Sequence, residues 1–466
     1  MTKLKWLPAL LVALAATNAH AHTTLINNQL HVDGQRFFIR GMVYSPEPRG
    51  WTTENRADGG TPFQIAGKPY VWLCSGTHAQ SLDSNSWSSS CYDDDLTGKL
   101  KSSADGVNDR YNQALEKRWK LDLDDMQKMG VNTLRLYNIN NHLKTHTAFL
   151  DELNHRHMKV IYPVLTDYAS KQNLNTVRTI VTDIVKETCN KPAVIAYTVG
   201  NEFDVDILEN PNGPRAQAVK TAAQIVHGLC PGPLTTYAAV DNPAAWALNA
   251  HGESRLMTAL GPANIDIITI NAGYRGDASQ PGPRGAWDRL FDDAQKLTAR
   301  YNKPFLIGEV GAHDDEDSRY GRQWYNHVWS LILKRSDAAS NLGAVYFEYN
   351  DEPMKKSVSE TASTPPGKRS HDKYMGVTTA AWPRSGSDPL DFHVSADLPN
   401  IPKTANYKGI PAFQDGNRQI VFYDNTSVGA GRYEMFVNDE KGIGACSYKA
   451  SPSPHQINPQ CAAAAR

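Results

Sequence analysis

The stretch Val194-Ile-Ala-Tyr-Thr-Val-Gly-Asn-Glu202 decides the fold. Seven mostly apolar or small residues run without alternation and stop at an amide and a carboxylate. A continuous apolar run of this length reads as a strand buried on both faces, the signature of a parallel sheet covered by helices. A second run of the same kind, Pro304-Phe-Leu-Ile307, ends in Gly308-Glu309. Each carboxylate falls where its strand leaves the core, and a charge there needs a partner or a purpose.

Working outward, eight strand-like runs appear: Phe37–Val43, Asn132–Ile139, Lys159–Leu165, Val194–Val199, Leu234–Val240, Ile265–Ile270, Pro304–Ile307 and Gly343–Phe347. Helix-like stretches with apolar residues at three- and four-residue spacing lie between most of them, at Asn112–Lys128, Thr176–Thr188, Arg215–Gly228, Ala286–Tyr301 and Arg322–Leu333. This alternation predicts an α/β protein, a (β/α)8 TIM barrel. An open doubly wound sheet is the competing architecture, but no glycine-rich phosphate loop follows the first strand. Upstream, Gln29–Phe37 alternates around Asp33-Gly34 and predicts a hairpin. Residues 50–107 form a long polar insertion after strand 1, which would rise beside the face where strands end. A second insertion spans about residues 355–373. Beyond Val377 the composition shifts to Pro, Gly, Ser and Asn, with strands predicted at Gln419–Tyr423 and Arg432–Val437. The expected organisation is a leader at 1–21, a barrel at 22–376 and a small β-rich appendage at 377–466 that braces the barrel.

Residues 1–21 carry Lys3 and Lys5, an apolar stretch from Trp6 to Thr17 and a small-x-small site at Ala19-His20-Ala21. This predicts a signal peptide cut before His22 and an exported or periplasmic protein. The apolar stretch is shorter than the roughly 20 residues that span a bilayer. No membrane or lipid anchor is expected. The net charge of −1 gives no electrostatic case for nucleic acid. Six cysteines (74, 91, 189, 230, 446 and 461) in an exported chain predict disulfides. Neighbour pairing is one of the 15 arrangements that six cysteines allow.

In such a barrel the residues at strand ends converge on one face. The set is rich in carboxylates, amides and phenols: Tyr44 and Glu47, Arg135, Tyr137 and Asn138, Asp167 and Tyr168, Asn201 and Glu202, Asp241 and Asn242, Asn271 and Tyr274, Glu309, then Glu348, Tyr349 and Asp351. No serine–histidine pairing and no histidine trio suggests a metal or a hydrolytic serine, and no cofactor is expected. Asp167 and Asp241 read as loop-capping residues. Glu202 and Glu309 stand three strands apart, on roughly opposite walls of an eight-strand ring. Paired carboxylates across a cleft are the apparatus for cleaving a glycosidic bond. They are the expected catalytic pair. Tyr44, Arg135, Tyr137, Asn201, Tyr274 and Tyr349 are the expected substrate-binding set. Arg135 would hold Glu309 ionised, Tyr274 would orient it, and Asn201 would reach a sugar hydroxyl.

These strand-end motifs resemble clan A of the retaining glycoside hydrolases. Several stretches are more narrowly similar to family 72, the fungal β-1,3-glucanosyltransferases. They are Phe37-Phe-Ile-Arg-Gly-Met-Val-Tyr44, Asn132-Thr-Leu-Arg-Leu-Tyr-Asn-Ile139, Gly200-Asn-Glu202, Lys303-Pro-Phe-Leu-Ile-Gly-Glu-Val-Gly311, Gly343-Ala-Val-Tyr-Phe-Glu348 and Tyr374-Met-Gly-Val377. The resemblance implies that Glu202 is the acid/base, Glu309 the nucleophile and Asn201 the amide before the acid. It matches Tyr137 and Tyr274 to the family's tyrosines after strands 2 and 6, and leaves Glu348 and Tyr349 as alternatives for the one at strand 8. The expected activity is retaining hydrolysis or chain transfer on a β-linked glucan, with β-1,3-glucan favoured. The expected partner is a polysaccharide or oligosaccharide met by a monomer. A β-mannanase or cellulase-like hydrolase of the same clan is the alternative enzyme, and an inactive glycan-binding protein the alternative outside catalysis.

Overall fold

The computed structural model describes residues 23–44, 131–137, 144–272, 286–311 and 340–349 without a break. It also describes 64–65, 68–69, 95, 97–101, 139, 141, 329, 332, 335 and eleven positions between 112 and 130. Two further strands at Arg432–Asp439 and Gly442–Lys449 complete the set.

Eight parallel strands close into a barrel. They are β1 (Ile39–Val43), β2 (Thr133–Arg135), β3 (Lys159–Pro163), β4 (Val194–Asn201), β5 (Leu234–Val240), β6 (Ile267–Asn271), β7 (Phe305–Val310) and β8 (Asn341–Tyr346). β8 pairs with β1, and β1 with β2, so the ring has no edge. All eight sequence-predicted strands are present: β5 has the predicted bounds, β4 and β7 run two and three residues further than predicted, and β2 stops four residues short. Their continuous apolar character has the expected cause. One set of side chains, including Ile39, Val43, Ile161, Ile195, Ile267, Leu306 and Val345, fills the barrel interior. The alternate set packs against the helices outside.

Helices on the outer surface follow the predicted periodicity. Asn173 caps the helix Leu174–Thr188 by accepting from the Thr176 amide at 3.0 Å, which explains why it begins two residues before the apolar pattern does. Its buried residues Val177, Val181, Ile184 and Val185 form one stripe. Pro214 opens the helix Pro214–Leu229, where its missing N–H costs nothing. Ala286–Tyr301 has the bounds the sequence predicts. The Cys189–Cys230 disulfide joins the C-terminal ends of the helices Leu174–Thr188 and Pro214–Leu229, with Cα atoms 5.6 Å apart. This is one of the neighbour pairings. Cys74, Cys91 and Cys461 lie outside the described residues, as does the side chain of Cys446.

Before β1, three antiparallel strands (Thr23–Ile26, Gln29–Val32 and Gln35–Arg36) make a small sheet. Asp33 and Gly34 both take positive φ, as a tight hairpin turn demands. The sequence reading missed the preceding strand, whose turn at Asn27 and Asn28 has the same conformation without a glycine. Leu30 and Val32 pack into the interior cluster and close the barrel floor where β1 begins. Gly343 in β8 carries φ +116°, and a Cβ there would sit 2.0 Å from the Ile39 carbonyl oxygen, so only glycine lets β8 meet β1.

Within the long insertion after strand 1, Gln64–Ile65 pairs antiparallel with Lys68–Pro69, and the returning end is described at residues 95 and 97–101. Lys99–Leu100 pairs antiparallel with Lys144–Thr145. Beside that ladder, buried Asp95 receives Thr97 Oγ1 at 3.0 Å and faces His146 Nε2 at 3.1 Å, while Lys144 donates to its carbonyl. The second insertion and Gln419–Tyr423 lie outside the described residues. Within the expected appendage, Arg432–Asp439 and Gly442–Lys449 form an antiparallel pair. Among the described residues, no helix is long and apolar enough to cross a membrane.

Candidate active site

The barrel brings Arg135, Tyr137, Asn201, Glu202, Asn271 and Glu309 together at the carboxyl ends of β2, β4, β6 and β7. Arg135, Asn201 and Asn271 are the last residues of their strands. Register shifts after Thr198 in β4, and between Ile270 and Asn271 in β6, aim these end residues inward.

Glu309 lies on the floor, 6% exposed. Its Oε1 accepts the Tyr137 hydroxyl at 2.5 Å and the Asn271 amide Nδ2 at 2.8 Å, and stands 3.5 Å from Arg135 Nη1. Two donors and an adjacent guanidinium charge on one oxygen are what a buried negative charge requires. Burial and the neighbouring Glu309 push the Tyr137 phenol well above its ordinary pKa, outweighing the pull of Arg135. Tyr137 therefore stays a donor across the working pH range.

The Arg135 guanidinium is buried and makes three hydrogen bonds. Nη1 donates to Asn271 Oδ1 at 3.0 Å and to the Gly308 carbonyl at 2.7 Å, and Nη2 donates to Asn201 Oδ1 at 2.6 Å. It also lies 4.6 Å from the Tyr137 ring centre. Arginine can only donate, so Asn271 must turn its oxygen toward Arg135 and its nitrogen toward the carboxylates. The Asn201 oxygen is likewise spent on Arg135. Among the described residues, nothing takes the Asn201 Nδ2, which is left to donate into the cleft.

Glu202 is exposed and stands above this floor. Its φ of +58° is unusual for a side chain with a Cβ and turns the chain off β4 across the mouth of the barrel. Its amide is anchored on the Ala238 carbonyl at 2.9 Å. Glu202 Oε1 accepts the same Asn271 Nδ2 at 2.8 Å that serves Glu309 at 2.8 Å. Twice 2.8 Å, or 5.6 Å, is therefore the greatest possible separation of the two facing oxygens. Retaining glycosidases hold their carboxyl groups about 5–5.5 Å apart, and inverting ones about 6.5–9.5 Å apart.

Not every expected residue joins this group. Tyr44 and Tyr349 are corrected: both are buried, and their hydroxyls meet on the Asp122 carboxylate at 2.8 and 3.2 Å. Their rings pack edge-on at 5.8 Å beside Phe149, so they build the wall behind the cleft and not its surface. Tyr274 lies outside the described residues, as do Glu47, Asn138 and Asp351. Asp167 is tied up by Lys171 and Arg215 at 2.7 Å each, in keeping with a structural role. Among the described residues, no group of three or more His, Cys, Asp or Glu is placed to hold a metal ion.

Two predictions arise here. Gly308 has no room for a side chain: a Cβ would lie 2.4 Å from Thr269 Cγ2, 2.6 Å from Asn271 Oδ1 and 2.9 Å from Arg135 Nη1. Gly308→Ala should push Asn271 and Arg135 out of line. The expected fall in kcat/KM is about a hundred-fold, with the fold retained by circular dichroism.

The second concerns Asp204, buried two residues after Glu202. Its Oδ2 accepts the Tyr237 hydroxyl and the Val240 amide, each at 3.2 Å, while among the described residues no other residue donates to Oδ1. Burial pushes its pKa up from 3.8 to about 6. A raised carboxyl pKa means that the folded state holds the proton more tightly than the unfolded chain. This group's contribution to stability is thus greatest below about pH 4 and is lost as pH rises through about 6. Asp204→Asn removes that loss. In urea titrations the variant should gain on the parent by about 2 kcal/mol more at pH 7 than at pH 4.

No described family's sequence model matches the chain. The 1,3-beta-glucanosyltransferase PGA4 of Candida albicans is 24% identical over 320 residues, an alignment covering 61% of this chain and 65% of that protein. The chain thus spans just under two thirds of this relative's length. The resemblance expected from the strand-end motifs is met at this level. Among solved structures, ScGas2 in complex with compound 8 is 16% identical, over 86% of this chain and 77% of that one, with a TM-score of 0.46. A GH2 beta-galacturonidase from Eisenbergiella tayi, bound to galacturonate, is 12% identical over 77% and 50%, with a TM-score of 0.45.

Proposed function

We propose that this protein is a retaining glycoside hydrolase or transglycosylase acting on a β-linked glucan, with β-1,3-glucan as the favoured substrate. The observation that carries the reading is the single Asn271 nitrogen lying 2.8 Å from both Glu202 and Glu309. The similarity to a protein named 1,3-beta-glucanosyltransferase supports the choice of linkage.

In the first step Glu309 attacks the anomeric carbon, the glycosidic bond breaks, and Glu202 gives its proton to the departing oxygen. A glycosyl ester on Glu309 results. In the second step Glu202 takes the proton from an incoming hydroxyl, whose oxygen displaces Glu309 from the sugar. Water as acceptor gives hydrolysis, and a sugar hydroxyl gives transfer. The Asn201 Nδ2 faces the substrate as a hydroxyl donor. Arg135 and Tyr137 hold Glu309 in its charged form between turnovers, and Tyr274 is assigned beside it from the sequence motif. The catalytic unit is assigned to 22–376 and a bracing appendage to 377–466, in a protein exported after cleavage at Ala21.

Incubation with defined laminari-oligosaccharides tests this reading. Products both shorter and longer than the substrate are expected. Turnover of mannan or cellulose oligomers alone would transfer the assignment to a mannanase or cellulase-like hydrolase. Binding without any product would leave a glycan-binding protein.

A further inference from the structure

Asn271 is 2% exposed and makes four contacts that define its amide completely. Its oxygen accepts from Arg135 at 3.0 Å. Its nitrogen reaches Glu202 Oε1 and Glu309 Oε1 at 2.8 Å, and Asn201 Oδ1 at 3.1 Å. An amide nitrogen has two hydrogens, so three acceptors compete for them. Asn201 Oδ1 is already served by Arg135 at 2.6 Å. The two hydrogens therefore go one to each glutamate.

We infer that Asn271 is a positioning residue that supports negative charge on Glu309 and on Glu202 alternately, without moving. This rests on the reaction proposed above. Before attack the charge is on Glu309 and the proton on Glu202. Once the glycosyl ester forms, Glu309 is neutral and Glu202 carries the charge. The second step returns it. A rigid donor aimed at both ends of that shuttle meets the charge wherever it stands, with no reorganisation in either step. Of the two glutamates, Arg135 and Tyr137 contact Glu309, and among the described contacts neither reaches Glu202.

The inference is tested by the pH dependence of kcat/KM on laminari-oligosaccharides. Loss of a donor to the charged form disfavours ionisation of both glutamates. In Asn271→Ala both limbs of the bell should move to higher pH, and the maximum should fall about a hundred-fold. Asn271→Asp keeps the shape, loses both donors and adds a third carboxylate, so its bell should move further in the same direction. Should the alanine variant fail to fold, the near-isosteric aspartate variant gives the reading. A residue that merely fills space would lower the maximum and the melting temperature while leaving both limbs in place, and that outcome in a folded variant overturns the inference. Glu309→Ala, run in parallel, separates the two claims. If it keeps activity, the proposed reaction is wrong. If it is inactive and rescued by azide while the Asn271 limbs stay put, only the charge-following role is lost.

Discussion

Glu309→Ala is expected to lower kcat by on the order of 10^5-fold, the scale of effect that follows removal of a covalent nucleophile. The fold should survive, because Arg135 keeps its bonds to Asn201, Asn271 and the Gly308 carbonyl. Small anions can enter the space that the carboxylate leaves on the floor. Azide should therefore restore part of the turnover on an activated aryl β-glucoside, giving the α-glycosyl azide, because it attacks from the side opposite the leaving group. Glu202→Ala should behave differently on the same substrate. Its first step needs no acid when the leaving group is activated, and azide then intercepts the glycosyl-enzyme to give the β-azide. The two anomers read out which carboxylate does what. Retention of full activity by Glu309→Ala would remove the basis of the proposed function.

Arg135→Met carries the second large effect, on stability as well as rate. Methionine fills much of the volume but donates nothing. Glu309 would lose its buried counter-charge, and Asn271 Oδ1 and the Gly308 carbonyl would lose their donor. Removing one partner of a buried pair costs about 3–5 kcal/mol, which corresponds to a fall in melting temperature on the order of 10 °C. The rate should fall at least about a thousand-fold, because Asn271 is no longer forced to present its nitrogen. Arg135→Lys should fail almost as badly, since an ammonium cannot reach three acceptors along a planar fork. A parent-like melting curve for Arg135→Met would show that this guanidinium does not carry the buried charge.

The barrel was legible because its strands are buried on both faces. That burial writes long apolar runs, and Val194–Asn201 and Phe305–Val310 stand out from the amphipathic helices around them. The glutamate pair was legible for the same reason: a carboxylate ending an apolar run is conspicuous. Asn271 was visible only as one polar residue at a strand end, and an asparagine there is commonplace. Its reach to both glutamates depends on the register shift between Ile270 and Asn271, which no residue pattern announces. Tyr44 and Tyr349 misled because strand-end position was equated with exposure to the cleft. What diverted them is Asp122, contributed by the segment before β2, which reads in the sequence as one more polar helix position. Long-range capture of this kind is decided by packing and not by local pattern. The turn at Asn27 and Asn28 was missed because asparagine fills a role usually signalled by glycine.

The central claim is that Glu309 bonds to the sugar while Glu202 handles the proton. The most direct measurement is trapping with a 2-deoxy-2-fluoro β-1,3-glucan disaccharide bearing an activated leaving group, followed by mass spectrometry of the digested protein. The expected result is one fluoro-glycosyl adduct on the peptide containing Glu309, together with retained anomeric configuration in the products of normal turnover. An adduct on a different carboxylate, or products of inverted configuration, would contradict it.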